Sequence, residues 1–178
     1  MHITTFTGIR INPLEPEADD IDIRDIAHAL SYICRGNGQV RQFFSVASHS
    51  IMCALEAKER GYSDSTAMFC LLHDASECYL SDVPGPVKGG LAGYAEAERR
   101  LQNVIYTRLA GRIPEEDELA VVEAVDKDLL YWDLKVLLDE KQDRAEPELS
   151  VAVDYSFIPF AETENRFLEI YYRLKGDL

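Results

Sequence analysis

Residues 68–80 read MFCLLHDASECYL, and the rest of the chain is arranged around this stretch. On a helix each residue advances about 100° around the axis, so counted from Met68, His73 falls near about 140°, Glu77 near about 180° and Asp74 near about 240°. The remaining circumference is apolar: Met68, Phe69, Leu71, Leu72, Ala75, Cys78 and Tyr79. A helix apolar nearly all round is a buried helix. Set into it is a narrow strip of one imidazole and two carboxylates. Burying a charge without a partner is costly, so the strip predicts ion pairing or a metal.

Working outward, the same periodicity continues on both sides. The spacing predicts a central helix from Ser63 or Ser65 to Leu80, broken sharply by the sequence DVPGP at 82–86. Before it, residues 45–60 (SVASHSIMCALEAKER) read as a helix stopped by Gly61, and residues 22–33 as a shorter one started by Asp22 or Asp25. The run Arg35-Gly36-Asn37-Gly38 ends that first helix, because glycine and asparagine accept positive φ. Residues 1–20 are expected to be irregular, with at most a short strand within 3–11. After the break, a helix over 93–110 is closed by Gly111, and a long one runs from about Pro114 to about Lys141. Residues 143–160 read as loop and 161–176 as a last amphipathic helix. The expectation is an all-α protein with one domain over 1–178.

Composition narrows the function. A chain of 178 residues with 47% hydrophobic and 28% charged residues suits one globular domain with a sizeable core. Its formal charge of −14 argues against a nucleic-acid backbone as partner, since such binders need basic surfaces. No apolar run of about 18 residues is present, so no membrane span is expected. The N-terminus lacks the basic and apolar segments of a secretory leader, and a cytoplasmic location is expected. Cys34, Cys53, Cys70 and Cys78 occur singly, without a CxxC pair, and read as reduced, small apolar residues. Cys70 projects near the polar strip and can line a site without being counted as a ligand.

A metal at His73-Asp74 needs ligands from other helices. Of the four histidines, His2 is terminal and His28 reads as structural or exposed; His49 lies among small residues that permit close helix packing. On the long helix Asp126 falls in the apolar stripe with Leu119, Val122, Leu130 and Leu137, a poor place for a solvated acid. Asp133 shares the stripe and is the alternative ligand. Two imidazoles and two carboxylates suit a divalent ion such as Mn²⁺, Co²⁺, Ni²⁺, Fe²⁺, Zn²⁺ or Mg²⁺. Glu77 on the same face is free to handle a proton.

The ordered set His49, His73-Asp74 and Asp126 resembles the H…HD…D signature of the HD-domain metal-dependent phosphohydrolases, an all-helical superfamily built as a bundle around a central metal site. SVASHS around His49, HDASECYLSDVPGPVK, VDKDLL and the opening IDIRDIAHALSYICRGNG resemble the bacterial 5′-deoxynucleotidase branch and its phage relatives. The similarity covers about residues 5–140. It implies one divalent ion held by His49, His73, Asp74 and Asp126, with Glu77 as general acid/base. It further implies Arg35 as a phosphate contact and Asp82 as a sugar contact, with Lys88 nearby. Each of these three has a plainer reading: a helix C-terminal cation, a turn former and a solvated loop lysine. The implied activity is hydrolysis of the 5′-phosphate of (deoxy)nucleoside monophosphates. The alternatives are a dNTP triphosphohydrolase using the same site and a non-catalytic nucleotide-binding protein. A small-molecule nucleotide partner and a homo-oligomer, dimer or higher, complete the expectation. Gly36 stands where relatives carry an aromatic residue, and Gln39 where the phage-type pattern has histidine, which leaves the base open.

Overall fold

Side-chain caps start three helices where the sequence places them. In the computed structural model, which describes residues 1–176, the Asp22 carboxylate accepts from the Arg24 amide ahead of α1 (Ile23–Tyr32). Ser45 Oγ accepts from the Ser48 amide ahead of α2 (Val46–Glu59), and Ser63 Oγ from the Thr66 amide ahead of α3 (Asp64–Leu72). Such caps satisfy N–H groups that have no partner within the helix. Two single-turn helices follow, α4 (Glu77–Leu80) and α5 (Gly85–Lys88). Three long ones complete the chain: α6 (Tyr94–Ala110), α7 (Glu116–Leu138) and α8 (Phe160–Lys175). Among the described residues the only strands are β1 (Ile3–Thr4) and β2 (Arg10–Ile11), an antiparallel pair with Ile3 opposite Ile11. The protein is all-α, as the periodicity predicts.

The core is a central pair of helices wrapped by the others. α2 and α3 pack on one another, with α7 and α8 against both, α1 against α2 and α6 against α3. From Thr66 to Leu72 every residue of α3 is buried. Large side chains such as Phe69, Leu71 and Leu72 each contribute roughly 1.5–3 kcal/mol by leaving water. The irregular segment between α7 and α8 is held by Glu56, a fully buried carboxylate of α2. Glu56 accepts from the amides of Ser150 and Val151, each at 2.9 Å, and from Arg60 Nε at 2.7 Å. Among the described residues no helix is long and apolar enough to cross a membrane.

Four expectations need correction. The central helix does not run unbroken to Leu80: α3 stops at Leu72, and residues 73–76 tighten into turns before α4. Gln102 of α6 holds this break, donating from Nε2 to Leu72 O at 2.7 Å and accepting from the Ser76 amide at 3.0 Å. The segment 82–86 is not wholly a break, because α5 begins at Gly85 on Pro84 as its N-cap. The long helix ends at Leu138, short of Lys141, with Asp139 in the left-handed region at φ 56°. Along it Leu119 is exposed, so the apolar stripe around Asp126 is incomplete at its N-terminal end.

Candidate metal centre

His49 is buried on α2 with both ring nitrogens facing carboxylates of α7. Nδ1 lies 2.8 Å from Asp133 Oδ2, and Nε2 lies 3.0 Å from Asp126 Oδ1. Asp126 and Asp133 are two turns apart and share a helix face, which is why one imidazole can meet both. Asp133 is itself buried, accepts from Tyr155 Oη at 3.0 Å and lies 3.4 Å from Arg35 Nε. An ionised carboxylate only accepts, so Asp133 places a proton on His49 Nδ1, and Nε2 meets Asp126 either as a second donor or, with a cation between them, as a ligand.

His73 is oriented in a parallel way by the backbone. Its Nδ1 donates to Cys70 O at 2.8 Å, one turn earlier. Its Nε2 then points at Asp74 Oδ2 (3.2 Å) and Asp126 Oδ1 (3.5 Å), yet makes no aligned hydrogen bond with either. Two imidazole Nε2 atoms thus face carboxylate oxygens in a largely buried space. Such atoms repel unless a proton or a cation lies between them. The charge balance agrees. Burial alone would lower both imidazoles; the surrounding carboxylates outweigh it, raising His49, chiefly through Asp133, and lifting His73 well above its usual range, chiefly through Asp74. Burial likewise opposes ionisation of Asp74 and Asp126, and the two histidines hold both acids well below the ordinary carboxylate range.

The donor atoms of His49, Cys53, His73 and Asp126 all lie within 4.8 Å of one another, and this group can hold a metal ion. Ligands about 2.1 Å from an ion stand about 3 Å apart in neighbouring octahedral positions. The 3.0 Å between His49 Nε2 and Asp126 Oδ1 matches that spacing. Of the expected ligands, His49, His73 and Asp126 converge directly. Asp74 flanks them on the His73 side, where Arg35 Nη1 donates to its Oδ2 at 3.2 Å. Asp133, the alternative ligand, instead orients His49. Cys53 enters the group although its sequence context reads as apolar; the signal that marks it is its position one turn after His49. Burial pushes its thiol well above the usual range, so without a cation it remains protonated. The Cys70 side chain stays outside the group, its carbonyl serving His73.

The substrate-side candidates line one cleft beside the metal group. It encloses about 670 Å³, within the range of about 300–1,000 Å³ usual for small-molecule sites. Arg35 sits there at the start of the tight turn Arg35–Gly38, in which Gly36 and Asn37 are left-handed (φ 59° and 52°), and not at the end of α1, so its plainer reading as a helix C-terminal cation does not hold. The guanidinium is buried, yet Asp133 and Asp74 keep its charge firmly in place despite desolvation. Asp82 Oδ2 accepts from the Gly36 amide at 2.8 Å, tying this turn to the segment after α4. Lys88 is half-buried, not solvated, and bridges Glu77 Oε1 at 3.2 Å and Glu98 Oε1 at 2.7 Å. Glu77 Oε2 is buried with no partner. Burial, then the charges of Asp74 and Asp82, push the Glu77 carboxyl up to about 8. Val40, Leu130, Leu134 and Leu137 give the cleft an apolar wall. His28 takes no part: its Nδ1 lies 2.9 Å from Glu164 Oε2 and its ring stacks on Phe6.

No family model matches the chain. It is similar to the uncharacterized protein YfdR of Escherichia coli strain K12, 32% identical over 141 residues that cover 79% of this chain and 71% of YfdR. It is also similar to the uncharacterized protein RCAP_rcc00048 of Rhodobacter capsulatus, 38% identical over 107 residues, 57% of this chain and 55% of that protein.

Proposed function

We propose that this chain, which belongs to the family of the Escherichia coli protein YfdR, is an HD-type metal-dependent phosphohydrolase acting on nucleotides. The favoured reaction is hydrolysis of the 5′-phosphate of (deoxy)nucleoside monophosphates. The observation that carries the reading is the pair of oriented imidazoles, His49 and His73, whose Nε2 atoms converge on Asp126 and Asp74 beside a cleft holding Arg35 and Glu77. A divalent ion held there by His49, His73, Asp126 and Asp74 would supply Lewis acidity and a water of lowered pKa.

The protein's own groups account for the rest of the chemistry. Arg35 presents a permanent cation in the cleft, suited to phosphate oxygens by its planar donors. Its ion pairs with Asp74 and Asp133 fix the guanidinium before substrate arrives, so little reorganisation accompanies charge development. Glu77 carries a proton near neutral pH, and its unpartnered Oε2 is the atom from which that proton can pass to a leaving alkoxide. Lys88 holds the other oxygen and so fixes the carboxyl's orientation. The apolar wall of Val40, Leu130 and Leu134 suits a nucleobase, with Asp82 facing the same cleft for a sugar hydroxyl.

A screen of deoxy- and ribonucleoside mono- and triphosphates, with Mn²⁺, Co²⁺, Zn²⁺ and Mg²⁺ added to chelated protein, tests the proposal. Inorganic phosphate released from monophosphates supports it. Nucleoside plus triphosphate as products moves the reading to a dNTP triphosphohydrolase. Tight nucleotide binding with no turnover under any metal overturns the enzyme reading in favour of a binding protein.

A further inference from the structure

Cys53 follows His49 by one turn on α2, so both side chains leave the same face of a buried helix. Its Sγ lies 3.4 Å from His49 Nε2, the atom that also meets Asp126 Oδ1 at 3.0 Å. With metal–nitrogen and metal–sulfur distances of about 2.0–2.1 Å and 2.3 Å, an N···S edge spans about 3.1 Å at a right angle and about 3.6 Å at the tetrahedral angle. The observed separation falls between the two. A buried thiol can instead be a small apolar filler. A second observation points to a ligand: the His73 side chain is only 9% exposed, and its Nε2 has no hydrogen-bond partner although it converges on the same space.

We propose that Cys53 is a sulfur ligand of the metal centre, giving it a mixed nitrogen, oxygen and sulfur donor set that selects a borderline transition ion such as Zn²⁺, Co²⁺ or Fe²⁺ over Mg²⁺. This rests on the metal-centre reading above and adds the chemical class of the ion. Thiolate favours softer ions, whereas Mg²⁺ takes oxygen ligands almost exclusively. As the metal–sulfur bond forms, the thiol proton leaves to solvent, since a coordinating thiol is deprotonated.

Cobalt is the probe. Full-length protein, stripped with a chelator and titrated with Co²⁺, is expected to bind one equivalent and to show a near-ultraviolet sulfur-to-cobalt charge-transfer band. Cys53→Ser is expected to lose that band while keeping the visible ligand-field bands, and to bind Zn²⁺ about 10-fold or more weakly. Cys70→Ser is expected to keep the charge-transfer band. Wild-type protein that binds one Co²⁺ without the band overturns the sulfur ligand and leaves the metal centre standing. Loss of the band in Cys70→Ser likewise overturns Cys53 as the source of the sulfur. Wild-type protein that binds no metal overturns the centre itself. Because the wild-type spectrum alone can refute the proposal, a Cys53 variant that fails to fold does not shelter it.

Discussion

Glu77 divides its two oxygens unequally, one on Lys88 and the other on nothing. That asymmetry suits proton transfer better than metal ligation. Glu77→Gln is expected to retain its metal content and to lose about 10²–10⁴-fold in kcat, the scale of general acid–base catalysis. Metal lost along with activity would make Glu77 a ligand instead. A pH effect follows from the same group. Its folded-state pKa of about 8 lies above the ordinary 4.5, so its contribution to stability is complete below about 4.5 and lost as pH rises through about 8. Thermal midpoints of ion-free protein should therefore fall across that window more steeply for wild type than for Glu77→Gln; parallel curves would refute this. At this scale His73, Asp74 and Glu77 are legible because charge within an apolar helix stands out. Cys53 is not, since a cysteine one turn after a histidine looks like any small core residue. Nor can spacing separate Asp126 from Asp133, which share one stripe but meet different nitrogens of His49.

The break between α3 and α4 is an element-scale device that turns His73 and Asp74 toward α7. A helix that simply continued would pair Leu72 O with the Ser76 amide; here Leu72 O turns to the Ala75 amide, and Gln102 answers the Ser76 amide while giving Leu72 O a second donor. Gln102→Leu should leave the Ser76 amide unpaired, at about 1–3 kcal/mol, while Leu72 O keeps the Ala75 amide. Urea denaturation is expected to show a loss in that range, and isothermal titration a weaker metal affinity through the misplaced His73-Asp74 turn. Unchanged values in both would make the clamp dispensable. Helix starts are readable because Asp22, Ser45 and Ser63 cap locally. The break is not, because periodicity looks only at neighbours, whereas the side chain that stabilises this turn comes from α6, far along the sequence.

For the whole molecule, the candidate donors come from α2, the turn after α3, and α7, so filling the centre ties three parts of the core together. An ion at 100 times its Kd should add about 2.7 kcal/mol to stability. For a chain of this size that corresponds to about 5–11 °C in Tm, reversed by a chelator. A bound ion with an unmoved Tm would mean that the centre forms equally well in the unfolded chain. The all-helical class and the longer helices are legible, because apolar period and turn residues repeat along the chain. The packing of α7 and α8 across α2 and α3 is not, because contacts between distant segments leave no local trace. The anchoring of the segment before α8 by Glu56 is of this kind, and it separates irregular shape from local motion. The Ser150 and Val151 amides belong to no helix, yet their N–H groups end on a carboxylate sealed in the core. Their exchange with deuterium should be as slow as that of α2 itself, opening only when the core opens, and Glu56→Gln should release it by orders of magnitude. A stretch that reads as loop would thus keep time with the interior.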